Sequence, residues 1–90
     1  MATEPRATAV PPVEVVLGDV VANLAILARA YVDPPAEAGA EADLDAADAL
    51  LDVAGRAYDR IQPRVGSDER SALAGLLTAA RLSYVKKRGL

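Results

Sequence analysis

From Val13 to Val32 the chain reads VEVVLGDVVANLAILARAYV, its longest apolar stretch, and the segments that follow repeat apolar positions at helical spacing. At 100° per residue, Val13, Leu17, Val20, Val21, Leu24, Leu27, Ala28 and Tyr31, with Val16 at the margin, share one broad face. That face is expected to meet the rest of the chain. Val15, Gly18, Ala22, Ala25 and Ile26 form a second apolar face, where Gly18 and Ala22 are small enough for another backbone to approach closely. Asp19 and Asn23, helped by Glu14 and Arg29, are the polar interruptions. A helix apolar on two sides needs two neighbours. The chain's own later segments supply one. The second is expected to be another copy or another helical protein, lying on the face of Val15, Gly18, Ala22, Ala25 and Ile26.

The rest of the chain divides at its prolines. Residues 1–12 hold Pro5, Pro11 and Pro12 and show no regular period, which predicts a disordered tail ahead of a domain over 13–90. Asp33-Pro34-Pro35 drives the chain out of helix 1 at about residue 32. DPPAEAGAEA, from Asp33 to Ala42, has no apolar stripe and reads as a loop. Helix 2 is predicted over 43–62, capped by Asp43 or Asp45, with Leu44, Ala47, Leu51, Ala54, Tyr58 and Ile61 stepping by three and four and Leu50 and Ala57 widening the seam. Pro63 stops it. Ser67 is the expected cap of helix 3, predicted over 67–88, with Leu73, Leu77, Ala80 and Tyr84 as its stripe and Gly89 as its stop. Gly75, in the middle of that helix, is expected to mark a close crossing. The short link makes helices 2 and 3 an antiparallel hairpin whose seam lies across helix 1. The expected fold is an all-α, three-helix antiparallel bundle, dimeric through helix 1.

Composition narrows the chemistry. Ninety residues make one small domain with a modest core, a size at which oligomerisation often supplies missing burial. With neither cysteine nor histidine, thiolate metal sites, disulfides and histidine-activated serines are excluded. Ser67, Ser71, Thr78 and Ser83 therefore have no activating base, and there is no glycine-rich phosphate loop. Neither a catalytic site nor a cofactor is expected. Asp45, Asp48 and Asp52 form a carboxylate ladder, but without the clustered loop oxygens of a calcium site they read as a solvated face, so no metal is expected. Nor are Tyr31, Tyr58 and Tyr84 a recognition platform; each sits in or beside an apolar stripe.

Net charge is −3 and unevenly spread. Every charge from Asp33 to Asp52 is negative, whereas Arg81, Lys86, Lys87 and Arg88 are all positive. The basic group is the candidate contact for nucleic acid. In an antiparallel hairpin, however, it lies beside the acidic start of helix 2, and mutual neutralisation is the favoured reading. The N-terminus has no basic segment followed by an apolar run, so a cytoplasmic location is expected. Helix 1 is long enough to span a bilayer, yet Asp19, Asn23 and Arg29 lie inside it, and one Asp or Arg at mid-bilayer costs at least ~2.5 kcal/mol. A membrane span is not expected.

The stretch from Asp43 through Lys87 resembles a family of uncharacterised bacterial proteins, the domain of unknown function numbered eighteen forty-four. The likeness rests on Asp43-Leu44 with Ala47 opening helix 2, Leu51 four residues on, the acidic start of helix 3 at Ser67-Asp68-Glu69, and the closing Arg81-Leu82-Ser83-Tyr84-Val85. The opening PPVEVVLGDVVANLAILA is similar to the VEVI-type start of actinobacterial members, so the resemblance covers about Val13 to Lys87. Helix 2 is richer in alanine than the family pattern and the DPPAEAGAEA loop departs from it, so nothing tied to those segments is carried over. The resemblance implies an all-helical cytoplasmic protein without known activity and offers no functional residues. In some actinobacteria, members stand beside genes for translation initiation factor three and ribosomal proteins. This association motivates an alternative role as an RNA- or ribosome-associated factor using Arg81, Lys86, Lys87 and Arg88.

Overall fold

The computed structural model describes residues 10–89; most of the tail expected over 1–12 lies outside them. Three helices follow one another: α1 (Val13–Val32), α2 (Leu44–Ile61) and α3 (Ser67–Arg88), with single 3-10 turns at Ala36–Ala38 and Gln62–Arg64. No strand occurs among the described residues.

Local chemistry sets the helix ends. Extended Pro12 precedes α1, and its carbonyl accepts the Val15 and Val16 N–H groups at 3.0 and 3.2 Å. Asp33 closes α1 by donating its N–H to the Arg29 carbonyl, after which two prolines bar any continuation. Asp43 caps α2: its Oδ1 accepts the Ala46 N–H at 3.0 Å, filling one of the vacancies every helix start leaves. At α3 the expectation is corrected. Gly66, not Ser67, occupies the cap position and no side chain bonds there; the Gly66 carbonyl accepts Arg70 N–H as the first helical bond, and Ser67 is already helical. Gly89 ends α3 in the left-handed region, at φ 84°, where a residue without Cβ carries no penalty.

The helices run up, down and up. The Asp43 N–H donates to the Tyr31 carbonyl at 2.9 Å, tying the start of α2 to the end of α1. At the other end Arg64 lies 3.8 Å from Glu14. Lys87 reaches Asp33 at 3.4 Å, so α3 runs beside α1 in the same direction.

Between the helices lies a core of mostly small residues. Val21, Ala25, Ala28 and Val32 of α1 meet Ala47, Leu51, Ala54, Ala57 and Ile61 of α2, with Val65 and then Leu73, Leu77 and Ala80 of α3 completing it. Alanine and glycine in the seam let backbones approach closely, and Leu17, Val20, Ala22 and Leu24 pack against the margins. Gly18 shows how tight this is. A Cβ there would stand 3.3 Å from Glu69 Oε2 and 4.0 Å from Cδ1 of both Ile61 and Leu73.

This packing turns α1 relative to expectation. Its buried stripe is Gly18, Val21, Ala25, Ala28 and Val32, whose mean direction is roughly 80° from that of the broad face read from the sequence. Val13, Val16, Leu27 and Tyr31, expected inside, are exposed instead. The stripe that turns inward mixes small Gly18, Ala25 and Ala28 with Val21 and Val32, and most of the remaining large side chains of α1 are left on its flanks. Gly75 also departs from expectation, because nothing lies within 4 Å of where its Cβ would be. The close approach in the hairpin is at Gly55, where a Cβ would meet Arg81 Nη2 at 2.6 Å.

Candidate functional site

Rotation of α1 leaves it apolar on both flanks of the buried stripe. Val13, Val16, Leu17, Val20, Leu24, Leu27 and Tyr31 form one flank, an arc about 100° wide that contains no charged or polar residue. Val13, Val16, Leu27 and Tyr31 are between 41% and 49% exposed, while Leu17, Val20 and Leu24 are half-buried. The other flank carries Val15 and Ile26, 49% and 57% exposed, with half-buried Ala22 between them, but Asp19 and Arg29 border it. Beside it, Leu76 of α3 joins Ala25, Ile26 and Arg29 around a shallow groove of about 210 Å³.

The five residues expected to form one free face are therefore divided. Gly18 and Ala25 lie inside the chain's own core, out of reach of a partner, because α1 turns them toward α2 and α3. Val15 and Ile26 face outward. What sequence reasoning missed was the first flank, assigned to the core although its residues were all named. Helical period alone could not separate inside from outside on a helix so widely apolar.

α1 is the one helix among the described residues long and apolar enough to cross a membrane by length and composition, and only 28% of its apolar window is buried. At its C-terminal end the first flank opens into a groove of about 410 Å³, lined by Leu27, Ala30 and Tyr31 and by Pro34, Pro35, Ala40, Glu41 and Asp43 of the connection. Its wall is mainly apolar with two carboxylates at the rim.

The basic cluster is spread among acids. Lys87 pairs with Asp33 at 3.4 Å. Arg88 donates to the Tyr84 hydroxyl at 2.8 Å and stacks 5.5 Å from its ring centre. That hydrogen bond, with Asp48 and Asp45 nearby, holds the Arg88 guanidinium above its ordinary pKa, and it stays charged at any ordinary pH. Arg81 lies over Gly55 and shares a cleft with Asp48, Asp52 and Tyr84. Lys86 lines a small cleft with Asp33, Ser83 and Lys87. Lys86, Lys87 and Arg88 thus sit at one end of the bundle and Arg81 reaches further in, over Gly55, with acidic groups beside them rather than a uniformly positive surface.

Of the carboxylate ladder, Asp52 accepts from Arg56 Nε at 3.2 Å in an exposed i,i+4 pair. No group of three or more potential metal ligands occurs among the described residues. Ser67, Ser71 and Thr78 are exposed on α3, and Ser83 is half-buried.

No protein-family model, curated protein sequence or solved structure matches this chain.

Proposed function

We propose that this chain is a small, non-catalytic helical interaction module whose α1 pairs with a second copy. One observation carries the reading: α1 presents an uninterrupted apolar arc along its whole length, with Val13, Val16, Leu27 and Tyr31 exposed, beside a core made mainly of alanine and valine. Apolar side chains scattered singly on a surface need no explanation, but a contiguous stripe on one helix does. A core of small residues also buries little area per residue, so a partner that covers this arc adds burial the chain cannot supply alone.

A protein surface suits the arc better than a bilayer does. Asp19 and Arg29 belong to the same helix, and spanning would place them among lipid tails. The absence of histidine and cysteine removes the usual activating base and the thiolate nucleophile, which supports a binding role over catalysis. The mixture of acids among Arg81, Lys86, Lys87 and Arg88 favours pairing over RNA recognition, since a phosphate backbone is bound best by an unopposed positive surface.

Light scattering on the purified chain tests this. Twice the chain mass is expected, and Val16→Glu with Leu27→Glu should return it to a single chain while helicity by circular dichroism is retained. A monomer at every concentration would refute the proposal. Should Ala22→Glu with Ile26→Glu dissociate the dimer and the first pair leave it intact, the contact would belong to the opposite flank.

A further inference from the structure

The pairing proposed above leaves open how far the shared surface extends beyond α1 and in which direction the copies lie. We infer that the second copy lies antiparallel on the face that α1 shares with α2, related by a two-fold axis crossing α1 midway between Val20 and Leu24. This inference rests on the pairing itself and adds its face, direction and charge contacts.

The face is wider than α1. The side of α2 turned toward α3 is marked by Gly55 beneath Arg81 and by the cleft holding Asp48, Leu51 and Asp52. On the helical wheel Leu50 and Val53 fall on the other side of α2, next to the uncharged arc of α1. Val53 is 49% exposed, the one large apolar side chain that α2 leaves open. Two adjacent helices about 30 Å long and 8–10 Å apart present roughly 600 Å² in projection. Two such surfaces reach the lower end of what specific protein interfaces bury, so reversible association is expected.

The two ends of this face differ in charge. At the C-terminal end of α1, Glu41 and Asp43 rim the groove that Leu27 and Tyr31 open into, and Glu37 stands in the same connection. At the N-terminal end, Arg64 lies 3.8 Å from Glu14 and is largely exposed, with Arg60 one turn earlier on the flank that carries Val53. The same end bears Val10, at 79% the most exposed large apolar side chain among the described residues. A parallel copy would set carboxylates against carboxylates and arginines against arginines, an arrangement that costs affinity. An antiparallel copy sets each acidic, grooved end against the arginine-bearing end of its partner. A two-fold axis makes that match twice, as a closed isologous dimer requires. A helix from another protein could satisfy one end but has no reason to satisfy both.

The chain contains no cysteine, so introduced thiols report unambiguously. Val13→Cys and Tyr31→Cys, both at exposed positions, are purified separately and treated with a short bis-maleimide alone and as an equimolar mixture. The mixture should give a cross-linked dimer on a denaturing gel well above the yield of either variant alone. Efficient linking of each variant with itself would show a parallel pair and overturn the inference. No linking in any sample, with light scattering still reporting a dimer, would move the contact to another face; this overturns the inference and leaves the pairing intact. A monomer throughout overturns both. As a second measurement, Arg60→Glu with Arg64→Glu, and separately Glu37→Arg with Glu41→Arg, should each weaken dimerisation at least fivefold at low salt. All four changes in one chain should restore it to within about threefold. Failure of that rescue would overturn the end-to-end charge match.

Discussion

α1 and α2 are almost equal in length and lie antiparallel against each other, yet they use their apolar residues differently. α2 gathers its large side chains on one stripe, buries Leu51 and Ile61, and leaves only Val53 exposed among them. α1 spends Gly18, Val21, Ala25, Ala28 and Val32 on the shared seam and leaves six large apolar side chains exposed, on both flanks. The helix richer in valine and leucine is thus the one that leaves more of its large apolar side chains outside. An apolar residue is therefore not by itself a statement about the fold. In α2 the apolar positions describe an inside, whereas in α1 they describe an inside plus an exposed surface.

The sharpest way to break this contrast is to shorten one side chain of each kind. Ile61, 1% exposed, lies in the core, and Ile61→Ala is expected to cost about 2–5 kcal/mol in urea unfolding, lost transfer energy plus the cavity left behind. Leu27→Ala, measured at a dilution where the chain is monomeric, should cost under about 0.5 kcal/mol. Comparable losses at both sites would mean that the outer flank of α1 belongs to the fold after all.

A second test uses two alanines of α1 only two residues apart. Ala28 is fully buried and Ala30 is exposed. Ala28→Leu should overpack the seam at a cost of about 1–3 kcal/mol, while Ala30→Leu should leave stability within about 0.5 kcal/mol. Equal tolerance at the two positions would place the seam elsewhere on α1.

Two smaller effects probe the helices that enclose the seam. Asp43→Ala removes the bond to the Ala46 N–H and should cost about 1 kcal/mol, with α2 fraying first in amide exchange at its N-terminal turn. An unaffected Asp43→Ala chain would show that the cap is dispensable. Gly75→Ala should instead stabilise the chain by about 0.5–1 kcal/mol, because α3 has open space there and glycine is a poor helix former. Loss of stability would mean that something packs closely on that side, as the sequence suggested.

Much of the architecture could be read before any coordinates. Three helices over 13–32, 43–62 and 67–88 were expected, and they run Val13–Val32, Leu44–Ile61 and Ser67–Arg88. The prolines at 12, 34, 35 and 63 act through backbone geometry alone, and the Asp43 cap and Gly89 stop are equally local, so each leaves a mark on its own few residues. The candidate surface was less legible. Its residues were all named, but Gly18 and Ala25 were placed outside and Val13, Val16, Leu27 and Tyr31 inside. Gly75 was singled out in place of Gly55, since nothing in the sequence near either glycine shows that Arg81 lies over the second.

Where helices begin and end, and which side of α2 turns inward, followed from the order of residues alone, because those properties depend on backbone torsions and on a narrow apolar stripe that admits one orientation. How far α1 rolls about its own axis did not. Apolar residues surround most of that helix, so several orientations bury similar area, and the pattern along the chain does not rank them. The packing of α2 and α3 decides the matter: Ile61, Leu73 and Glu69 stand close over Gly18, and Val21, Ala25, Ala28 and Val32 turn with it into the core. That choice exists only once the helices are packed together, and it determines which apolar residues remain free for a partner.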